Sequence, residues 1–153
     1  MSQLDERLAE LGLSVPETSK PLAAYFPAMV SGTLVYTAGQ LPMVDGVLPA
    51  TGKVGAEVDA AAAHEYAKTC VLNGLAAAKG AIGSLDRITR VVKVVGFVAS
   101  DPSFTGQPGV INGASELLVE IFGETGKHAR SAVGVAVLPL DAPVEVEFVF
   151  EFA

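Results

Sequence analysis

The feature that most constrains the fold is the regular alternation in residues 144–152, VEVEFVFEF. Valine or phenylalanine occupies every second position, and three of the four positions between them are glutamate. Successive side chains of a β-strand point to opposite faces, so the segment is predicted to be a strand with one apolar and one acidic face. A register shift of one residue would bury the glutamates, so the pattern also determines which face packs on a core.

Further segments have the periodicity of helices or strands. They are a short helix at 2–11, an extended stretch at 14–21, two strands within 23–42 separated by the turn SGT, a helix at 57–82, a strand at 88–100, a helix at 108–122 and a strand at 130–137. After the first helix the order is ββ-α-β-α-ββ. This order predicts an α+β fold in which one mixed sheet carries two helices on one face.

Composition limits what the chain can do. Its 153 residues fit one domain, 1–153, in which 1–20 form an N-terminal helical extension. A net charge of −7 and only 10 scattered Lys and Arg disfavour nucleic acid as a partner. With only 18% charged residues, part of the surface is expected to be covered by other subunits. A single cysteine, a charged N-terminus and the lack of a long apolar run predict a cytoplasmic protein that neither is exported nor spans a membrane.

An arginine stands near the start of the strand at 130–137. From Arg130 onward, very small residues alternate with Val133, Val135 and Val137. If this strand and 144–152 form a hairpin, their bulky sets share the buried face. Arg130 is then expected on the acidic face, together with Glu145, Glu147 and Glu151.

Two interpretations of Arg130 follow from the pattern. The small side chains beyond Arg130 leave space for a ligand or for another copy of the chain, and a guanidinium binds a carboxylate through two parallel hydrogen bonds. Alternatively, Arg130 pairs with a strand glutamate on a hydrated face. The pattern alone leaves both open.

The same residues resemble the signature of the Rid family of reactive intermediate deaminases, also called the YjgF family. The most specific match is ARSAVGVAVLP at 129–139 followed by VEVE at 144–147. Shorter matches occur in the family's order, and the resemblance covers about residues 20 to 152. They are Tyr25, TAGQLP at 37–42, Asn73, VVKVVGFVASDPSF at 91–104 and VING at 110–113.

The resemblance implies a chorismate-mutase-like fold, a homotrimer whose sheets face inward as a barrel, and clefts at the subunit interfaces. It also implies hydrolysis of short-chain 2-imino acids to 2-oxo acids and ammonia, with no metal and no cofactor. By residue, it implies that Arg130 binds the substrate carboxylate, Glu145 orients or activates water, Tyr25 closes the cleft, Gly39 offers backbone groups and Asn112 stands at the cleft wall. His128 and Ala132 are further candidates for the cleft.

The chain departs from the family pattern at three positions. Ala132 replaces a frequent cysteine, Ala38 a serine, and His128 the usual proline. These departures favour a divergent branch and leave a second function open, a non-catalytic binder of small carboxylates. Cleavage of RNA is disfavoured by the acidic composition. Cys70 is predicted to be a core residue because it lies on the apolar stripe of its helix.

Overall fold

The computed structural model describes residues 1–18 and 24–153. Its helices and strands are α1 (Gln3–Glu10), β1 (Ala28–Ser31), β2 (Leu34–Thr37), α2 (Ala60–Ile82), β3 (Ile88–Ala99), α3 (Gln107–Phe122), β4 (Ala129–Val135) and β5 (Val144–Phe152). The predicted order is confirmed. Residues 14–18 lie in neither a helix nor a strand, and the rest of the predicted extended stretch lies outside the described residues. Within the described residues, no helix is both long and apolar enough to cross a membrane.

The helices begin and end where side chains satisfy their terminal backbone groups. Ser2 and Asp5 form a capping box at the start of α1, and the Asp86 carboxylate accepts hydrogen bonds from the first backbone N–H groups of the helix. The helix expected from residue 57 begins later, because the Asp59 side chain caps it by accepting from the N–H of Ala62. It ends, as predicted, at Gly83, whose φ of +88° suits glycine.

The five strands form one sheet in the order β1-β2-β5-β3-β4. β3 and β4 are parallel, and the other neighbours are antiparallel. The predicted hairpin between the last two strands is therefore wrong. α3 is the crossover that brings β4 beside β3, and the following segment leads the chain from the sheet edge to the centre. The strongly alternating β5 takes the central place, where both of its edges are hydrogen-bonded.

The core lies between the sheet and the helices α2 and α3. The predicted apolar face of β5 is confirmed, since its residues from Val144 to Phe150 on that face are at most 1% exposed. The apolar stripe of α2 is buried against it; its members are Ala63, Ala67, Cys70, Val71, Gly74, Leu75 and Ala78. Leu8 is also only 1% exposed, so α1 packs into the same core. The two helices on one face of a mixed sheet are as predicted.

The parallel pairing of β4 reverses the expected direction of Arg130. Arg130 and Phe148 both pair with Val94, whose side chain is fully buried beneath the helices. Paired residues on neighbouring strands share a face, so Arg130 points to the helical side and away from Glu145. The bulky set was assigned to the wrong face as well, because Val133 and Val137 are 44% and 62% exposed.

The small residues of β4 make room for α3. A Cβ atom at Gly134 would lie 2.8 Å from Nε2 of Gln107, the first residue of that helix. Ala132 packs against the core. The chain's own helix α3 therefore occupies part of the space that was predicted for a ligand or a neighbouring subunit, while Gly134 itself stays exposed.

Candidate active site

Arg130 is held by two side chains of α3. Its Nη1 donates to Oδ1 of Asn112 at 2.7 Å and to Oγ of Ser115 at 3.3 Å. Asn112 and Ser115 are three residues apart and therefore lie on one face of the helix. Within residues 1–18 and 24–153, Nε and Nη2 of Arg130 have no hydrogen-bond partner. That edge of the guanidinium is the fork that binds a carboxylate with two parallel hydrogen bonds.

A histidine completes the polar cluster. Nδ1 of His128 lies 2.6 Å from the carbonyl oxygen of Gly126, and Nε2 lies 2.9 Å from Oγ of Ser115. A carbonyl only accepts, so Nδ1 carries the proton and donates. Burial lowers the pKa of His128, and the charge of Arg130 lowers it further, although the Gly126 hydrogen bond opposes both. Nε2 of the neutral ring therefore accepts a hydrogen bond from the hydroxyl group of Ser115.

These groups line a cavity of about 270 Å³ beside the edge strand β4. Its walls are Ser115, Val119, Lys127, His128 and Arg130. The lining holds two permanent cations and no carboxylate, although Lys127 also pairs with the exposed Glu124 at 2.9 Å. The cavity is shallow and open to the surface, and its cationic lining suits a small anion.

Glu145 lies on the face of the sheet that is opposite to the helices and to Arg130. Its carboxyl is half-buried, and burial raises its pKa, with a further rise from the nearby Glu147. Gly39 lies directly beside it, since a Cβ atom there would come within 2.8 Å of the Glu145 Cδ. The carboxylate of Glu145 can take this position only because residue 39 is a glycine.

The segment that follows Gly39 is held by hydrogen bonds to β5 and to α2. Gln40 exchanges two backbone hydrogen bonds with Val146, at 2.8 and 3.0 Å. Nδ2 of Asn73 donates to the carbonyl oxygens of Leu41 and Met43, at 2.9 and 3.0 Å. The asparagine of α2 therefore holds the loop against the helix and keeps Gly39 at the carboxylate.

The residues named from the sequence thus fall into separate places in one chain. Arg130, Asn112 and His128 come together on the helical side of the sheet, whereas Glu145 and Gly39 are on the open side. Tyr25 is 58% exposed and precedes β1, the opposite edge strand from β4. Four strand spacings separate these edges, about 19 Å. A single chain does not assemble the whole set.

Sequence reasoning missed two groups of the Arg130 cavity, Ser115 and Lys127. The signal for Ser115 was its spacing of three from Asn112, which places both on one helix face. Lys127 lies in a short connection with no periodicity to interpret.

Cys70 and His64 lie outside both the Arg130 cavity and the sheet face that carries Glu145. Cys70 is fully buried in the core, as predicted, and burial raises the pKa of its thiol. Nδ1 of His64 lies 3.5 Å from Oε1 of Glu65, and its Nε2 lies 3.6 Å from Oε2 of Glu116. Among the residues that the structure describes, no three His, Cys, Asp or Glu side chains are grouped to hold a metal ion.

The mixed sheet with two helices on one face is the chorismate-mutase-like α+β fold. The chain belongs to the YjgF/chorismate-mutase-like family, also called the Rid family. The family described as "YjgF/chorismate_mutase-like, putative endoribonuclease" matches residues 5–153. The resemblance found in the C-terminal signature is thereby confirmed.

Individual relatives place the chain in a divergent part of this family. It is 43% identical over 145 residues to Protein TCP17 of Trypanosoma cruzi, and the aligned residues make up 94% of this chain and 91% of that protein. The crystal structure of Atu1372 from Agrobacterium tumefaciens, a protein of unknown function, is 47% identical with a TM-score of 0.91, covering 98% of this chain and 92% of that one. The Escherichia coli YjgF structure is less similar, at 25% identity and a TM-score of 0.64 over 88% of this chain and 93% of that one.

Proposed function

We propose that the protein hydrolyses small 2-imino acids to 2-oxo acids and ammonia. The observation that carries this proposal is the state of Arg130. Its Nη1 is held by Asn112 and Ser115, while Nε and Nη2 have no hydrogen-bond partner among the described residues. Arg130 also lines a cavity of about 270 Å³. An anchored guanidinium with its fork unoccupied by protein groups is prepared for a carboxylate.

The active unit in this proposal is a homotrimer with clefts between subunits. The open face of the sheet exposes large apolar side chains, among them Met29 at 54%, Tyr36 at 44% and Val133 at 44%. Arg130 lies at one edge of the sheet, and Glu145 lies on this open face. In a ring of three copies with head-to-tail contacts, the edge of one subunit meets the open face of the next. Glu145 and Tyr25 of a neighbour would then complete the cleft of Arg130.

The chemistry needs positioning and one acid–base group. Arg130 holds the carboxylate, and water adds to the adjacent imine carbon to give a carbinolamine. Glu145 accepts a proton from that water, and the raised pKa makes its carboxylate a stronger base. Protonation of the nitrogen then lets the C–N bond break, which releases ammonia and leaves the 2-oxo acid. Gly39 gives the carboxylate its space, and Asn112 acts by holding Arg130.

The test is ammonia release from 2-iminobutanoate, generated in place by a threonine dehydratase, after subtraction of spontaneous hydrolysis. Arg130→Ala is expected to lower kcat/KM by about 10- to 100-fold, because it removes a charged hydrogen-bond pair worth roughly 1.5–3 kcal/mol. Arg90→Ala is the matched control, since Arg90 is an exposed arginine of β3. Equal activity of the wild type and Arg130→Ala would contradict the proposal.

A second function is favoured by one specific observation. Ala132 presents a methyl group on the face of Arg130, where the family often has a cysteine, and it packs against the core. Such a pocket suits a non-catalytic binder of small carboxylates. Calorimetric binding of 2-oxobutanoate that needs Arg130, with no hydrolysis of any imine supplied, would favour this function over the deaminase.

A further inference from the structure

Ser115 and His128 form a hydrogen-bonded pair that the proposed deaminase reaction has not yet used. Both line the cavity of Arg130, and the two side chains are 2.9 Å apart at Oγ and Nε2. We propose that this pair is an acid–base relay, in which Ser115 exchanges protons with the bound substrate and passes them to His128. The inference rests on the proposed function and assigns a second proton-transfer group to the same site.

The directions of the hydrogen bonds support proton transfer from Ser115 to His128. The Gly126 carbonyl fixes the proton on Nδ1 of His128, so Nε2 is left as the acceptor for the Ser115 hydroxyl. Nη1 of Arg130 donates to the same oxygen at 3.3 Å. A hydroxyl that faces a base on one side and a guanidinium on the other gives up its proton more readily than a serine in water.

The charges around His128 keep this base unprotonated. Arg130 from β4 and the neighbouring Lys127 are cationic, and Ser115 is its partner from α3. The carboxylate of Glu124 is engaged by Lys127. Burial and the charge of Arg130 both lower the pKa of His128, so the ring is a base at neutral pH and becomes an acid only when a proton reaches it.

The proton movements balance over one turnover of the protonated imine. As the oxygen of water bonds to the imine carbon, the electron pair of the C=N bond moves to nitrogen. Glu145 takes one proton from that oxygen, as in the proposed function, and returns it to the amino nitrogen of the carbinolamine. The remaining hydroxyl proton passes to Ser115 while the serine's own proton passes to His128, and the C–N bond breaks as the C=O bond forms. The imidazolium then releases its proton to solvent, and the products are the 2-oxo acid, ammonia and one proton.

This relay is a property of this chain rather than of the family signature, because the signature has proline where His128 stands. Proline has no side-chain base. The pair also lies on the face of Arg130, so it needs no residue from another subunit. It therefore differs from the role proposed for Glu145, which would reach the cleft from a neighbour.

The experiment compares His128→Gln, Ser115→Ala and the control His64→Gln in the ammonia-release assay between pH 5 and 8. The wild type is expected to lose kcat on the acid side, because a protonated His128 cannot accept a proton. His128→Gln is expected to lower kcat at pH 7.5 by about 100-fold, at the low end of the range for general acid–base catalysis. The decrease of kcat toward acid pH, here called the acid limb, is expected to disappear in this variant. Ser115→Ala is expected to do the same, whereas the control His64→Gln is expected to keep the wild-type loss of kcat at acid pH.

A binding measurement separates this role from a structural one. The affinity for 2-oxobutanoate, measured by calorimetry, is expected to stay within about threefold of the wild type in His128→Gln, because Arg130 and Asn112 remain. An acid limb that persists in both His128→Gln and Ser115→Ala overturns the relay and leaves the deaminase standing. A wild type that binds 2-oxobutanoate but hydrolyses no imine overturns the deaminase and the relay together.

Discussion

Arg130 and Glu145 lie on opposite faces of one sheet, although both belong to the same C-terminal sequence signature. Arg130 pairs with Val94, whose side chain is buried under the helices, and Glu145 pairs with Phe97 on the other face of β3. Adjacent positions of a strand alternate in direction, and these two positions of β3 differ by an odd number. A site that uses both groups on one substrate therefore needs two copies of the chain.

Mixed oligomers test this relationship directly. Arg130→Ala and Glu145→Gln are each expected to be impaired at least tenfold alone, and co-expression of the two is expected to restore ammonia release to about a quarter of the wild-type value. With random mixing in a head-to-tail ring, that is the share of clefts that receive an intact arginine from one copy and an intact glutamate from the next. Mixed preparations with no restored activity would show that one chain supplies both groups.

The raised pKa of Glu145 predicts how stability depends on pH. Its folded pKa lies above the ordinary 4.5, so its contribution to folding is fully present below pH 4.5 and is lost as the pH rises through the folded value. Glu145→Gln removes this loss and is expected to raise the urea midpoint at pH 7 relative to the wild type, with a smaller gain at pH 4. The control is Glu120→Gln, an exposed position of α3. A gain that grows toward acid pH would contradict the sign.

Gly39 is predicted to be the only residue compatible with the position of the Glu145 carboxylate. Gly39→Ala would place a methyl group within 2.8 Å of the Glu145 Cδ and push the carboxylate away. We expect at least a tenfold loss of kcat/KM, of the size found when an acid–base group is misplaced. Gly109→Ala is the matched control, because a Cβ there would have no atom of the described residues within 4 Å, and Gly109 lies in the first turn of α3. It is expected to keep full activity, and a similar loss in both variants would refute the steric explanation.

Asn73 is predicted to stabilise the loop that carries Gly39. Asn73→Asp keeps the shape of the side chain but replaces both donated hydrogen bonds with repulsion between the carboxylate and the carbonyls of Leu41 and Met43. The expected cost is about 1–3 kcal/mol in the free energy of unfolding. Urea denaturation with an unchanged m-value measures it. Stability equal to that of the wild type would show that the loop is held by other contacts.

The sequence predicted those elements whose side chains alternate or repeat against one core. The alternation of β5 and the stripe of α2 each have one arrangement that buries the apolar set, so both the element and its buried face were predictable. The two long helices end at the predicted residues 82 and 122, because Gly83 and Gly123 follow with positive φ values, +88° and +67°.

The partner of β4 could not be predicted in this way. Both faces of that strand are uncharged after Arg130, so burying either face carries no local penalty that the sequence could reveal. Its face depends on pairing with β3, which α3 brings about from a distant part of the chain. The cluster of Asn112, Ser115 and His128 around Arg130 depends on the same pairing and was only partly predicted for that reason.

The sheet order has a consequence for when the protein folds during its synthesis. β5 lies between β2 and β3, yet it follows all the other strands along the chain. Until residues 144–152 have left the ribosome, the hairpin β1–β2 and the pair β3–β4 share no hydrogen-bonded neighbour. The strand that joins these two parts of the sheet is therefore the last of the described strands to be made, so the complete sheet forms only after its synthesis.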